Sequence, residues 1–127
     1  MDALIQEIGN LISRCDDALK KDWDTLSVVF DISEGVVSNS GFMYNTSKVL
    51  PMSSGIDGEP MAVTNRVSEF QAAVDEKLGQ KFKQLLVQME RESGRIKIDF
   101  EFDDPKRWNM GPSNYIRMRE ELRPRFD

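Results

Sequence analysis

Histidine is absent from this 127-residue chain, and cysteine occurs once, at Cys15. Without histidine there is no commonest general base, no commonest zinc ligand and no Ser-His or Cys-His nucleophile pair. A lone cysteine excludes an internal disulfide, leaves no thiolate metal site and fits a reducing compartment. No stretch approaches the roughly 20 apolar residues of a membrane span. The opening residues Met1 to Glu7 lack both the basic region and the continuous apolar run of a signal peptide. A cytoplasmic protein is expected. Gly35, Gly41, Gly55 and Gly58 match neither nucleotide-binding glycine pattern, so no phosphate cradle and no cofactor is expected.

Basic residues are scarce in one window. Between Asp22 and Glu59 the acids are Asp22, Asp24, Asp31, Glu34, Asp57 and Glu59, against Lys48 alone, so that window holds the whole net charge of −5. An acidic surface attracts a basic partner and repels nucleic acid. The basic residues elsewhere are diluted by acids; even the stretch from Arg117 to Arg125 contains Glu120 and Glu121, which reads as a solvated helix face. The alternative for the acidic window is a chance cluster of solvated side chains.

What is present is a chain of ordinary composition, 39% hydrophobic and 31% charged, long enough to bury one core as a single domain over residues 1–127. Leu4, Ile5, Ile8, Leu11, Ile12, Cys15 and Leu19 recur at helical spacing and predict an amphipathic helix from Asp2 to Lys21, with Cys15 as a small core residue. Trp23 is expected to close the core where the chain turns into a strand. Thr25 to Ile32 and Val36 to Tyr44 read as a hairpin about Glu34-Gly35, with room for a bulge at Ser38 to Gly41. Thr46 to Met52 reads as an optional short third strand, and Ser53 to Pro60 as a loop. Val67, Phe70, Val74, Leu78, Phe82, Leu85 and Met89 step by three or four and predict a long second helix from about Asn65 to Glu92, with Gly79 inside it.

Arg95 to Asp104 is the most constrained stretch. Ile96, Ile98, Phe100 and Phe102 alternate with Arg95, Lys97, Asp99 and Glu101, the period of a strand buried on one face, so Phe100 is expected in the core. Pro112 suits the first turn of a last helix carrying Ile116, Met118 and Leu122 and closed by Pro124. The fold class expected is α+β: an antiparallel sheet of about four strands with helices mainly on one face, in the order α-β-β-(β)-α-β-α. Asp99, Glu101, Asp103 and Asp104 would be the residues of a hard-metal site or a glycosidase pair, but their spacing supplies no opposing carboxylate. Neither a metal nor a catalytic role is expected. Met43, Met52 and Met61 read as core filler or as adaptable contacts at a binding surface.

Four segments together carry a family resemblance. They are Ile8-Gly9-Asn10-Leu11-Ile12, Asp22-Trp23 entering the first strand, Ser93-Gly94-Arg95-Ile96-Lys97-Ile98-Asp99-Phe100-Glu101-Phe102-Asp103-Asp104, and Trp108-Asn109 to Pro112. In these the chain resembles the YezG-type immunity (antitoxin) family of bacterial polymorphic toxin systems. The order of elements matches over most of the chain, and the two ends match residue by residue. Val36 to Pro60 departs from the pattern. The resemblance implies a small, non-enzymatic cytoplasmic protein that neutralises a cognate toxin domain, expected to be a basic nuclease. Such toxins arrive from neighbouring cells or are made by the same cell. The expected toxin-binding residues are Asp31, Glu34, Asp57 and Glu59, with Asp99, Glu101, Asp103 and Asp104 as the second candidate surface. No nucleic acid or membrane partner is expected, and the oligomeric state stays open. Rival readings are a small acidic adaptor or secretion-chaperone-like binding protein and a carboxylate-dependent hydrolase.

Overall fold

A computed structural model describes residues 2–33 and 35–126. The fold is α+β, with a five-stranded antiparallel sheet and four helices. Chain order is α1 (Asp2–Ser13), α2 (Asp16–Lys20), β1 (Thr25–Ser33), β2 (Val36–Tyr44), β3 (Val49–Met52), α3 (Ala62–Leu78), β4 (Gln84–Glu90), β5 (Ile96–Glu101) and α4 (Tyr115–Glu121). The strands lie in the order β3-β2-β1-β4-β5, so β1 is central and β3 and β5 form the two edges.

The sheet buries both faces by pleat alternation. Leu26, Val28 and Phe30 of β1 and Leu85, Val87 and Met89 of β4 point to the side covered by α1, α2 and α3. There they join Ile8, Ile12, Cys15, Trp23, Val67, Phe70 and Phe82 in the larger core. Val29, Phe42, Tyr44 and Leu86 point the other way and meet Trp108, Met118 and Leu122 of the C-terminal segment. Three helices therefore cover one face and α4 covers part of the other. No helix is long and apolar enough to cross a membrane among the described residues.

The predicted helix from Asn65 to Glu92 is two elements. Gly79 takes the left-handed conformation (φ 73°) and its N–H closes on the Asp75 carbonyl, so the helix stops at Leu78, which is 58% exposed. Beyond it Leu85 and Met89 keep a helix-like spacing by coincidence, because odd positions of a strand also recur at four. Gln84 to Met89 is buried at every position, as a strand with both faces covered must be.

The first helix is also divided. Arg14 and Cys15 donate to the carbonyls of Leu11 and Ile12, tightening the last turn, and Cys15 then adopts an extended conformation before α2. Leu19 consequently leaves the apolar stripe and is 67% exposed. At the C-terminus the helix begins at Tyr115, not at Pro112. The Asn114 side chain accepts from the Gly111 N–H (2.8 Å) and donates to the Asn109 carbonyl (3.0 Å), which holds Pro112 in a preceding turn. Ile116 points outward, 68% exposed.

No bulge interrupts β2: its register with β1 runs unbroken from Ser33↔Val36 to Thr25↔Tyr44. Gly41 has a different reason to be glycine. A Cβ there would collide with the Ser27 carbonyl and crowd Val28 Cα of the neighbouring strand. Gly41→Ala is expected to cost about 1–3 kcal/mol through this overpacking. Chemical denaturation measures it, and an unchanged midpoint would show that β1 and β2 part without strain.

Candidate functional site

The late strand is shorter than its sequence pattern and lies at the edge of the sheet. Glu101 ends it by accepting hydrogen bonds from the Asp103 and Asp104 N–H groups, both 3.0 Å, and Asp104 Oδ1 accepts from the Lys106 N–H at 2.9 Å. These bonds turn the chain before Pro105. Arg107 Nη1 then pairs with Glu101 Oε1 at 3.0 Å. The two backbone donors, with the arginine, hold the Glu101 carboxyl below the ordinary carboxylate range. Glu101 is thus the hinge of a turn.

The polar face of this strand does not open freely to solvent. It borders a groove of about 450 Å³ between β4, β5 and the C-terminal segment, lined by Lys97, Asp99, Arg107, Trp108, Arg123 and Arg125 among others. Asp99 therefore sits among cations. Asp103 and Asp104 lie beyond the strand, exposed, in the turn. Among the described residues no group of three or more His, Cys, Asp or Glu side chains is placed to hold a metal.

Buried polar groups pin the C-terminal segment over the sheet, and nothing in the sequence pattern singled them out. Gln88 Nε2 donates to Ser27 Oγ and to the Leu122 carbonyl, both 3.1 Å, and the Ser27 hydroxyl donates to the same carbonyl. Gln84 accepts from the Trp108 N–H (2.9 Å) and donates to Asn109 Oδ1 (2.8 Å). Tyr44 donates to the Arg119 carbonyl at 2.7 Å, with the Arg123 guanidinium 4.8 Å from its ring. Burial raises the Tyr44 phenol above its ordinary value, so it stays a neutral donor.

The acidic window is divided by the fold. Asp31 lies near the hairpin end of β1, opposite Ser38 and Gln84, on the face toward the C-terminal segment. Its carboxylate is 3.4 Å from Gln84 Nε2. Asp57 and Glu59 are exposed in the loop after β3, tied to the α2 side by the bond from Asp57 N–H to Asp16 Oδ1 (3.0 Å). Glu34 lies outside the described residues. Asp22 and Asp24 are brought instead beside Glu90 and Glu92 around Trp23 and Arg91.

At the β3 edge is a different kind of surface. Phe42, Pro51, Met52, Met110, Pro112 and Tyr115 line an apolar groove of about 440 Å³. The Phe42 and Tyr115 rings meet edge-on, centroids 5.3 Å apart at 67°. Tyr115 is 37% exposed, and the adjoining Ile116 projects into solvent. Of the methionines singled out in the sequence, Met43 and Met52 belong to the larger core, Met52 also bordering this groove, and Met61 is exposed. Met110 joins the groove by folding of the segment after Trp108, which spacing could not reveal.

Cys15 is fully buried; desolvation, with the charges of Asp17 and Asp16 adding to it, pushes its thiol above the ordinary value. It is an inert core residue. No protein-family model matches this chain, and no curated protein gives a significant match to it.

Proposed function

We propose that this chain is a non-enzymatic immunity protein of the YezG type, acting in the cytoplasm by binding a cognate, basic toxin domain. The observation that carries the reading is the apolar groove of Phe42, Met52, Met110, Pro112 and Tyr115 beside the short β3 edge. A shallow pocket of aromatic, methionine and proline residues is the form of an interface anchor site. Asp57 and Glu59 follow β3 in the adjoining loop, and Asp31 shares the sheet face on which Phe42 lies. Those carboxylates would steer and pair with lysines and arginines of the toxin.

Three glutamates are held in the charged form by their neighbours and are not suited to act as general acids. Glu90, Glu101 and Glu120 are all held below the ordinary carboxylate range, by Ser93 and Arg95, by backbone N–H groups of the turn, and by Arg123 respectively. A general acid at neutral pH needs the opposite shift. The late strand is the weaker toxin surface, because Glu101 is engaged with Arg107 and the backbone of the turn.

The test is co-expression with the C-terminal domain of a secreted toxin encoded beside this chain. The chain is expected to restore growth and to co-purify with that domain as a stable complex. An active neighbouring toxin that neither binds the chain nor is neutralised by it would overturn the reading.

A further inference from the structure

From the free edge of the sheet opposite the groove, we infer that β5 pairs with β5 of a second copy of this chain. The result would be a two-fold dimer with one continuous sheet. This inference does not depend on the toxin reading.

β5 ends the sheet on that side, and its ladder to β4 uses alternate residues. The Glu90 N–H donates to the Arg95 carbonyl, and the Arg91 N–H donates to the Asp24 carbonyl on the far side of β4. Alternation in an antiparallel ladder then directs the backbone groups of Lys97, Asp99 and Glu101 inward to β4. Those of Ile96, Ile98 and Phe100 point outward from the edge. The edge contains neither proline nor glycine. Its apolar side chains are half-buried, whereas those of β1 from Leu26 to Phe30 and those of β4 are buried. β3, by contrast, is four residues long and carries Pro51, the usual guard on an edge.

What identifies the occupant is the order of the charges. Arg95, Lys97, Asp99 and Glu101 run two positive then two negative, with Ile98 at the centre. A two-fold axis normal to the sheet through Ile98 keeps each face on its own side. It sets Ile98 opposite itself, Ile96 opposite Phe100, Lys97 opposite Asp99 and Arg95 opposite Glu101. Each outward-facing residue then meets an outward-facing partner, as a hydrogen-bonded pair requires. Each charged residue meets its opposite. Slipping the register by one pleat either way sets Asp99 against Asp99 or Lys97 against Lys97, so charge alone selects one register. Arg95 and Glu101 also pair within one chain, with Glu90 and Arg107, and the Glu101 carboxylate is only 13% exposed, so Lys97 and Asp99 carry the register. Lys97 donates to the Arg125 carbonyl, so its ammonium has no carboxylate partner within the chain among the described residues. The pairing leaves the β3 groove free on both copies.

The experiment is sedimentation equilibrium on the whole chain across roughly 1 to 200 µM, the range suited to an interface at the small end of the standard size. Wild type is expected to approach twice 14.6 kDa at the upper end. Lys97→Asp sets aspartate against Asp99 and Asp99→Lys sets lysine against Lys97. Each alone is expected to dissociate at least about tenfold more readily. Mixing the two variants restores opposite charges at both positions and is expected to restore the dimer as a heterodimer. Circular dichroism confirms that each variant is folded. A wild type that stays monomeric throughout overturns the inference. So do single variants that dimerise like wild type, or a mixture that fails to recover.

Discussion

Trp23→Ala is expected to cost about 3–5 kcal/mol of stability and to lower the melting temperature by roughly 10–20 °C. The side chain is 4% exposed and its indole N–H donates to the Ala18 carbonyl at 3.0 Å, tying the end of α2 to the start of β1. Outside, the Arg91 guanidinium lies 5.0 Å from the ring. Truncation therefore removes apolar burial, leaves a carbonyl without its donor and uncovers the arginine. Trp23→Phe keeps most of the burial and loses the hydrogen bond, so its loss should be nearer 1 kcal/mol. Phe100→Ala should fall between the two. Phe100 packs on Phe82 and Phe70, with centroids 5.3 and 5.7 Å away, but it stands on an edge strand and is only half-buried. Thermal and urea unfolding of the three variants gives the ranking. If Phe100→Ala proved as costly as Trp23→Ala, the edge position of β5 would be in doubt.

The sequence pattern revealed the elements whose period matched their burial. Thr25 to Ile32 and Val36 to Tyr44 form the hairpin as read, because β-branched and aromatic residues fill one continuous register. The late strand was found for the same reason, but its rank as an edge was not legible, since nothing in Ile96 to Glu101 says which strands flank it. β4 was missed because a strand buried on both faces loses the alternation that marks strands. Phe82, Leu85 and Met89 then happened to continue the spacing of α3 past Gly79. Gly79, expected inside one long helix, is instead the left-handed end of α3. The candidate site was less legible still. Carboxylates counted along the chain as one window are separated in space, and the groove at β3 draws Met110 and Tyr115 from a segment some sixty residues distant from Met52. The residues that bring that segment into place are Ser27, Gln84 and Gln88. As buried polar side chains in strands, they read in sequence as interruptions of the apolar pattern.

On the proposed reading, the acidic residues and the apolar groove should affect different stages of toxin binding. Reversing Asp31, Asp57 and Glu59 to lysine is expected to slow association by about ten- to a hundredfold at low salt, with the difference shrinking as salt screens the charges. Long-range attraction acts before contact, so dissociation should change little. Tyr115→Ala removes an aromatic wall of the groove, where rings and methionine exclude water, and should raise the dissociation rate by roughly thirtyfold with little change in association. Asp31 contacts Gln84 and Tyr115 contacts Phe42, so circular dichroism and thermal unfolding must first show that both variants keep the fold. Stopped-flow or surface-based kinetics at low and high salt then measure both rates for wild type, the charge-reversed chain and Tyr115→Ala. Equal association at low salt would remove Asp31, Asp57 and Glu59 from the interface. An unchanged dissociation rate for Tyr115→Ala would remove the groove. Losing both would leave the cation-bordered face of β5, with Asp99 at its centre, as the surface to test next.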